Sequence, residues 1–145
     1  MEQASKMQRI GPADLDLLVS ADPRLAESPA HRQHIGDLLG AGLSWAAMAQ
    51  GTAAGFAVIT RHFFGFPFVD LLLVAEPARR TGLGLALLEQ CAHSHDADRI
   101  FTSTNESNDP MRRLLAKADW SVSGVVENLD PGDPELVFVK FRDRG

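Results

Sequence analysis

Tyrosine is absent from this chain, and cysteine occurs once. No phenol is available as an acid, a base or a nucleophile, and no intrachain disulfide can form. A lone Cys91 suits a reducing compartment. No apolar run approaches the length that crosses a bilayer. Met1 to Gln8 is polar and lacks the apolar stretch of a secretory signal. A soluble cytoplasmic protein with no membrane contact is therefore expected. Positive charge is also in short supply. A formal net charge of -5 argues against a nucleic-acid partner, which selects a basic face.

What is present suits one folded unit. The 145 residues, 45% of them hydrophobic, predict a single domain spanning 1–145 with a real core. No internal repeat or low-complexity linker interrupts it.

The apolar pattern alternates between strand and helix spacing. Lys6 to Ile10 predicts a short strand. Gly11-Pro12-Ala13-Asp14 then opens an amphipathic helix through Leu15, Leu18 and Val19, which Asp22-Pro23 breaks. A second helix is predicted from Pro29 to Leu39, stopped by Gly40-Ala41-Gly42. Leu43 to Ala49 and Ala54 to Phe64 read as a hairpin around Gln50-Gly51-Thr52. Gly65-Phe66-Pro67 breaks again before a strand from Phe68 to Ala75. That strand is apolar throughout apart from Asp70, so both of its faces can be buried. A helix follows from Gly82 to His95, then a strand from Asp98 to Ser103. Asn108 is a natural N-cap for the next helix, whose apolar face is Met111, Leu114, Leu115 and Ala118. Ser121 to Glu127 and Leu136 to Phe141 are the last strands. Runs of strands mixed with strand-helix-strand units predict an α/β, mixed α+β fold, with helices on both faces of a mixed sheet.

The stretch from Leu71 to Ala86 carries the functional signal. An apolar strand ends in a basic turn, Arg79-Arg80-Thr81, and Gly82-Leu83-Gly84 opens a helix. The first N–H groups of a helix have no partners within it, and the dipole favours negative charge there. A P-loop would continue with Lys-Ser or Lys-Thr, but Leu85-Ala86 follows. A dinucleotide fingerprint would place glycine or alanine at Leu87, after an opening strand-helix-strand unit. Neither context is met.

The segment resembles the coenzyme A-binding motif of the GNAT N-acetyltransferases, Arg/Gln-x-x-Gly-x-Gly/Ala after a strand ending in Val-x-Pro. The corresponding stretch here is Val74-Ala75-Glu76-Pro77, then Arg79-Arg80-Thr81-Gly82-Leu83-Gly84. The resemblance extends over nearly the whole chain and is densest from Val69 to Trp120. It implies a mostly antiparallel sheet of six to seven strands. It also implies acetyl-CoA as cosubstrate, no metal, and transfer of an acetyl group to an amine. Cofactor contacts are then expected from Leu72, Leu73 and Val74, whose main chain would line the pantetheine arm. The pyrophosphate falls to Arg79, Arg80, Thr81, Gly82, Leu83, Gly84 and Leu85. Side chains at Gly82 and Gly84 would obstruct it. The family strand carries a bulge and splays from its neighbour, so Phe101 to Thr104 would form the far wall of the cleft. Asn105 and Asn108 are further cofactor candidates.

The same resemblance exposes a departure. The family helix often reads Leu-Tyr-x-Lys-x-Gly-Phe, with the Tyr hydroxyl protonating the departing thiolate. Here Leu115 replaces the Tyr, and Asp119-Trp120 replaces Gly-Phe. A thiol with a pKa of about 8.5 leaves tolerably without an acid. Water or the Ser107 hydroxyl could supply the proton. An N–H from Leu73–Val74 is the expected oxyanion donor. For the base, Asp70 comes first, because alternation puts it on one face with Leu72 and Val74 in apolar surroundings that favour a raised pKa. Glu106 and Glu127 are further carboxylates.

The remaining reactive side chains have plainer roles. His31 and His34 share a helical face but have no third ligand beside them. His93 and His95 do not share one, and Cys91 lies on an apolar face. Phe63, Phe64, Phe66 and Phe68 suit core packing, a pocket wall or a dimer patch; a homodimer is left open. The acceptor is expected to be a small-molecule amine. Alternatives are an acyl-CoA-binding module that has lost catalysis and a protein Nα- or lysine acetyltransferase.

Overall fold

The structure is a computed structural model and describes residues 6–142. The signal-peptide reading of Met1 to Gln8 thus falls mostly outside the described residues. The strands are β1 (Lys6–Ile10), β2 (Leu43–Ala49), β3 (Thr52–Phe63), β4 (Phe66–Val74), β5 (Arg99–Asn105), β6 (Ser121–Val126) and β7 (Glu135–Phe141). Among the described residues they make one sheet in the order β1-β2-β3-β4-β5-β7-β6. Every neighbouring pair is antiparallel except β4–β5. The helices are α1 (Arg24–Glu27), α2 (Pro29–Ala41), α3 (Leu83–Ala92) and α4 (Asp109–Lys117). One apolar cluster packs α3 and α4 on one face through Leu87, Leu88, Cys91, Leu115 and Trp120. The other packs α1, α2 and the segment before them on the opposite face through Leu18, Leu25, Ile35 and Phe56.

The first expected helix does not form. Two 3₁₀ turns, Pro12–Asp14 and Leu17–Ser20, stand in its place. The span between Gly11 and Asp22-Pro23 does not propagate a continuous α-helix. Local bonds hold it instead. The Gly11 N–H donates to Asp14 Oδ2 at 2.8 Å, and Ser20 Oγ donates to the Ala53 carbonyl at 2.8 Å. Leu18 is fully buried all the same, so the apolar pattern marks a core face without an α-helix.

Glycines set three of the chain reversals. α2 runs through Gly40 and stops at Gly42. A Cβ on Gly42 would stand 2.1 Å from the Ile59 carbonyl oxygen, so glycine alone lets the chain turn into β2 there. Gln50-Gly51 and Phe64-Gly65 each have two positive φ angles, 54° and 81°, then 53° and 83°. That is the type I′ geometry that joins twisted antiparallel strands in two residues. The expected break at Gly65-Phe66-Pro67 is therefore shorter than predicted, and β4 begins at Phe66.

The single cysteine is a core residue. Cys91 is fully buried, and burial pushes its thiol up to about 12 from an ordinary 9.0. The folded protein keeps the proton, while an unfolded chain releases it from about pH 9 upward. Stability supplied by this group is thus complete below pH 9 and declines as pH climbs towards 12. Native protein should resist iodoacetamide near pH 8, and a Cys91→Ala variant should lose less urea resistance than wild type between pH 8 and pH 10. Rapid native alkylation would contradict this placement of the thiol.

Candidate active site

The site begins where β4 and β5 part. These strands pair over only two positions, Phe68 with Phe101 and Val69 with Thr102. Thr102 Oγ1 donates to the Val69 carbonyl at 2.8 Å and closes the end of the pair. Beyond it β4 follows β3 while β5 follows β7, so a cleft opens between Leu71–Val74 and Ser103–Asn105.

A bulge sits at the apex. Val69 pairs with Ile59 and Leu71 with Val58, leaving Asp70 as the extra residue. The insertion breaks the alternation on which Asp70 was expected to share a face with Leu72 and Val74. Leu72 and Val74 pack on the α3 side, whereas Leu71 and Leu73 pack on the α2 side. Asp70 belongs with the latter. Its Oδ2 accepts from Thr60 Oγ1 at 2.6 Å, and Thr60 continues the Phe56, Val58 face of β3. His62 Nδ1 lies 3.3 Å from the same oxygen. Neither Thr60 nor His62 carries a sequence signal, because ten residues separate Thr60 from its partner.

The β4 backbone is phased by its ladder with β3. The Ala75 N–H donates to the Ala54 carbonyl at 2.8 Å. Two-residue alternation then sends the main-chain groups of Leu73 and Leu71 towards β3, and those of Leu72 and Val74 away from it, into the cleft. Of the two N–H groups expected as oxyanion donors, that of Leu73 is used within the sheet. The Val74 carbonyl accepts from Arg79 Nε at 3.2 Å, which ties the basic turn to the strand.

The turn itself is tightly wound. Glu76–Ala78 is a 3₁₀ turn, Arg80 has φ 66°, and Gly82 has φ 86° as the N-cap of α3. Thr81 Oγ1 donates to the Ala78 carbonyl. The first bond of α3 runs from the Ala86 N–H to the Gly82 carbonyl at 3.1 Å. The N–H groups of Leu83, Gly84 and Leu85 precede it, as in any helix start. A Cβ on Gly82 would meet nothing within 4 Å, so Gly82 answers to its φ and fronts open space. Gly84 also has a packing part. A Cβ there would lie 3.0 Å from Leu114 Cδ2 and 3.7 Å from Val74 Cγ2, so its smallness serves the approach of α4 to α3.

The other candidates gather on the far wall. Asn108 caps α4, accepting from the Met111 N–H at 3.2 Å. Asn105 Nδ2 donates to Asp130 Oδ2 at 2.8 Å. Ser107 Oγ donates to Asp133 Oδ2 at 2.6 Å. These bonds fasten the end of β5 to the β6–β7 loop. The Glu106 and Glu127 side chains are exposed. Ser103, on the cleft wall, donates to Glu135 Oε2 at 2.7 Å. Leu115 is wholly buried in the α3–α4 cluster, and Asp119, in place of the family glycine, has a positive φ of 65°.

A cavity of about 610 Å³ lies elsewhere, between Ala41–Leu43, Ile59–Arg61, Pro67 and His93–Asp96. It is at the C-terminal end of α3 and is lined by none of the candidate site residues, only by Ile59, Thr60 and Arg61 of the strand beside them. The cleft is an open groove along a strand edge, a form that suits an extended ligand better than a closed hollow does.

Residues 15–120 match the family model of the acetyltransferase (GNAT) family. The chain belongs to that family. A GNAT-family acetyltransferase from Bacillus cereus ATCC 10987 is 30% identical over 98% of this chain and 100% of its own, with a TM-score of 0.86. A GNAT acetyltransferase from Elizabethkingia anophelis with acetyl-CoA bound shares the fold at 18% identity and a TM-score of 0.75, over 97% and 100% of the two chains. The ribosomal-protein-S18-alanine N-acetyltransferase of Escherichia coli does so at 17% and 0.78, over 93% and 92%. No curated protein sequence matches. The GNAT order of elements, with its parted central strands, is therefore the architecture of this chain.

Proposed function

We propose that this GNAT chain transfers an acetyl group from acetyl-CoA to a primary amine of a small molecule, by direct attack in a ternary complex. The observation that carries the reading is the cleft opening at Val69/Thr102. It is lined by the outward main chain of Leu72 and Val74, and its β4 wall leads to the free N-terminus of α3. The acetyl-CoA bound by the Elizabethkingia relative supports the same ligand here.

In this reading the pantetheine amides bond to Leu72 and Val74 as an added strand would. The pyrophosphate meets the N–H groups of Leu83 to Leu85, with Arg80 beside it and Arg79 bracing the turn. An outward N–H of β4, at Leu72 or Val74, stabilises the oxyanion. Asp70, at the apex, serves the removal of the amine proton. The thiolate departs with a proton from water, since Ser107 Oγ is held by Asp133 and Leu115 has nothing to donate. The lone buried thiol is consistent with a reducing cytoplasm.

A second reading, an acyl-CoA-binding module without catalysis, is favoured by the burial of Leu115 where the family acid stands. Coenzyme A release from acetyl-CoA separates the two. Polyamines, amino acids, aminoglycosides and peptide N-termini form the test panel. Release with at least one amine is expected; tight binding with no turnover on any would favour the module.

A further inference from the structure

Asp70 is held by two groups that the reaction above leaves without a role. Thr60 Oγ1 donates to Oδ2 at 2.6 Å, and His62 Nδ1 faces the same oxygen at 3.3 Å. The His62 N–H also donates to Thr60 Oγ1 at 3.3 Å, which fixes the strand beneath the ring. Exposure rises along the file: Thr60 is 1% exposed, the Asp70 side chain 25% and the His62 side chain 61%.

A carboxylate facing Nδ1 favours one tautomer of a neutral imidazole. With the hydrogen on Nδ1, the lone pair is on Nε2. Asp70 Oδ2 accepts from Thr60 and has Nδ1 within 3.3 Å, whereas Nε2 lies on the opposite edge of a ring whose side chain is 61% exposed. Both residues lie on the α2 face of the sheet, beside Phe68, which pairs with Thr60.

We propose that His62 Nε2 is the atom that receives the proton of the attacking amine, directly or through one water, and that Asp70 is the residue that positions and balances it. This rests on the acetyltransferase reading above. As the amine nitrogen bonds to the thioester carbonyl carbon, its N–H bond breaks. The electron pair stays on nitrogen and the proton passes to Nε2. The resulting imidazolium is paired with the Asp70 carboxylate, and Nε2 later returns the proton to water. The charged group in contact with His62 is Asp70. Arg61, next in β3, turns to Asp96 at 2.9 Å, and Arg99, over the Phe66 ring, is held by Asp98 at 2.9 Å.

The test compares wild type, His62→Gln and His62→Ala with the best amine of the panel. Both variants should bind acetyl-CoA as wild type does by calorimetry, since His62 is a surface residue away from the α3 turn. Their kcat should fall about 100-fold, within the range for a general base. The pH–rate profile of His62→Gln should differ from that of wild type on its acid side, where only the amine's own protonation then remains. Added imidazole should restore much of the His62→Ala rate, which a structural role would not allow. Full activity in either variant, or a pH profile unchanged in His62→Gln, would overturn the assignment alone. A wild type that binds acetyl-CoA and acetylates nothing would overturn it together with the acetyltransferase reading.

Discussion

Gly82→Asp is expected to remove acetyl-CoA binding while leaving the chain folded. Gly82 has φ 86°, and a Cβ built on it meets nothing within 4 Å. The new side chain enters open space, so packing is undisturbed. The left-handed backbone costs about 1–2 kcal/mol for a residue with a Cβ, and aspartate tolerates it better than most. The carboxylate, however, stands before the unpaired N–H groups of α3. It takes up the bonds and the dipole that a phosphate would use, and repels what remains. Losing two charge-assisted bonds at about 1.5–3 kcal/mol each reduces affinity by roughly 100-fold or more. In a thermal melt, wild type should gain stability with acetyl-CoA and the variant should gain none. Without ligand the two should differ by only a few degrees. Gly84 would be a poorer choice, because its Cβ would press on Leu114 Cδ2 at 3.0 Å and a lost ligand could then reflect a shifted α4.

Asp70→Asn should lower kcat/KM by about 100- to 1,000-fold near neutral pH, with the KM for acetyl-CoA unchanged. Asparagine keeps the shape of the site and can still accept from Thr60 Oγ1, so folding is spared. It carries no charge to balance an imidazolium, so protonation of Nε2 loses the partner that favours it. The loss should shrink at high pH, where more of the free amine is already neutral. A deficit of equal size at pH 7 and pH 9.5 would reject any part for Asp70 in proton removal. An increase confined to the KM of acetyl-CoA would place Asp70 in cofactor binding instead.

Local signals in the sequence carry over well into the structure. Gln50-Gly51 makes its hairpin, Asn108 caps its helix, and the basic turn with Gly82 opens α3 at the end of an apolar strand. Each of these rests on neighbours within a few residues. The misreadings share a different origin, since each depends on what lies across the sheet. Leu15, Leu18 and Val19 have helical spacing, but Ser20 is drawn to Ala53 and the segment settles into 3₁₀ turns. Asp70 belongs to the α2 face because β4 bulges against β3, and no alternation rule anticipates an inserted residue. The packing of Gly84 against Leu114 is likewise invisible from the loop alone. His62 is unremarkable in sequence and gains its meaning only from the carboxylate 3.3 Å away on the next strand.

The proposed reaction requires acetyl-CoA to lie along the cleft between β4 and β5. Titrating the amide spectrum of the isotope-labelled protein with acetyl-CoA tests that directly. Saturable shifts should concentrate at Leu72, Val74 and Gly82 to Leu85. The absence of saturable binding, or shifts confined to Gly42, Arg61 and His93 to Asp96 around the cavity at the other end of α3, would contradict it.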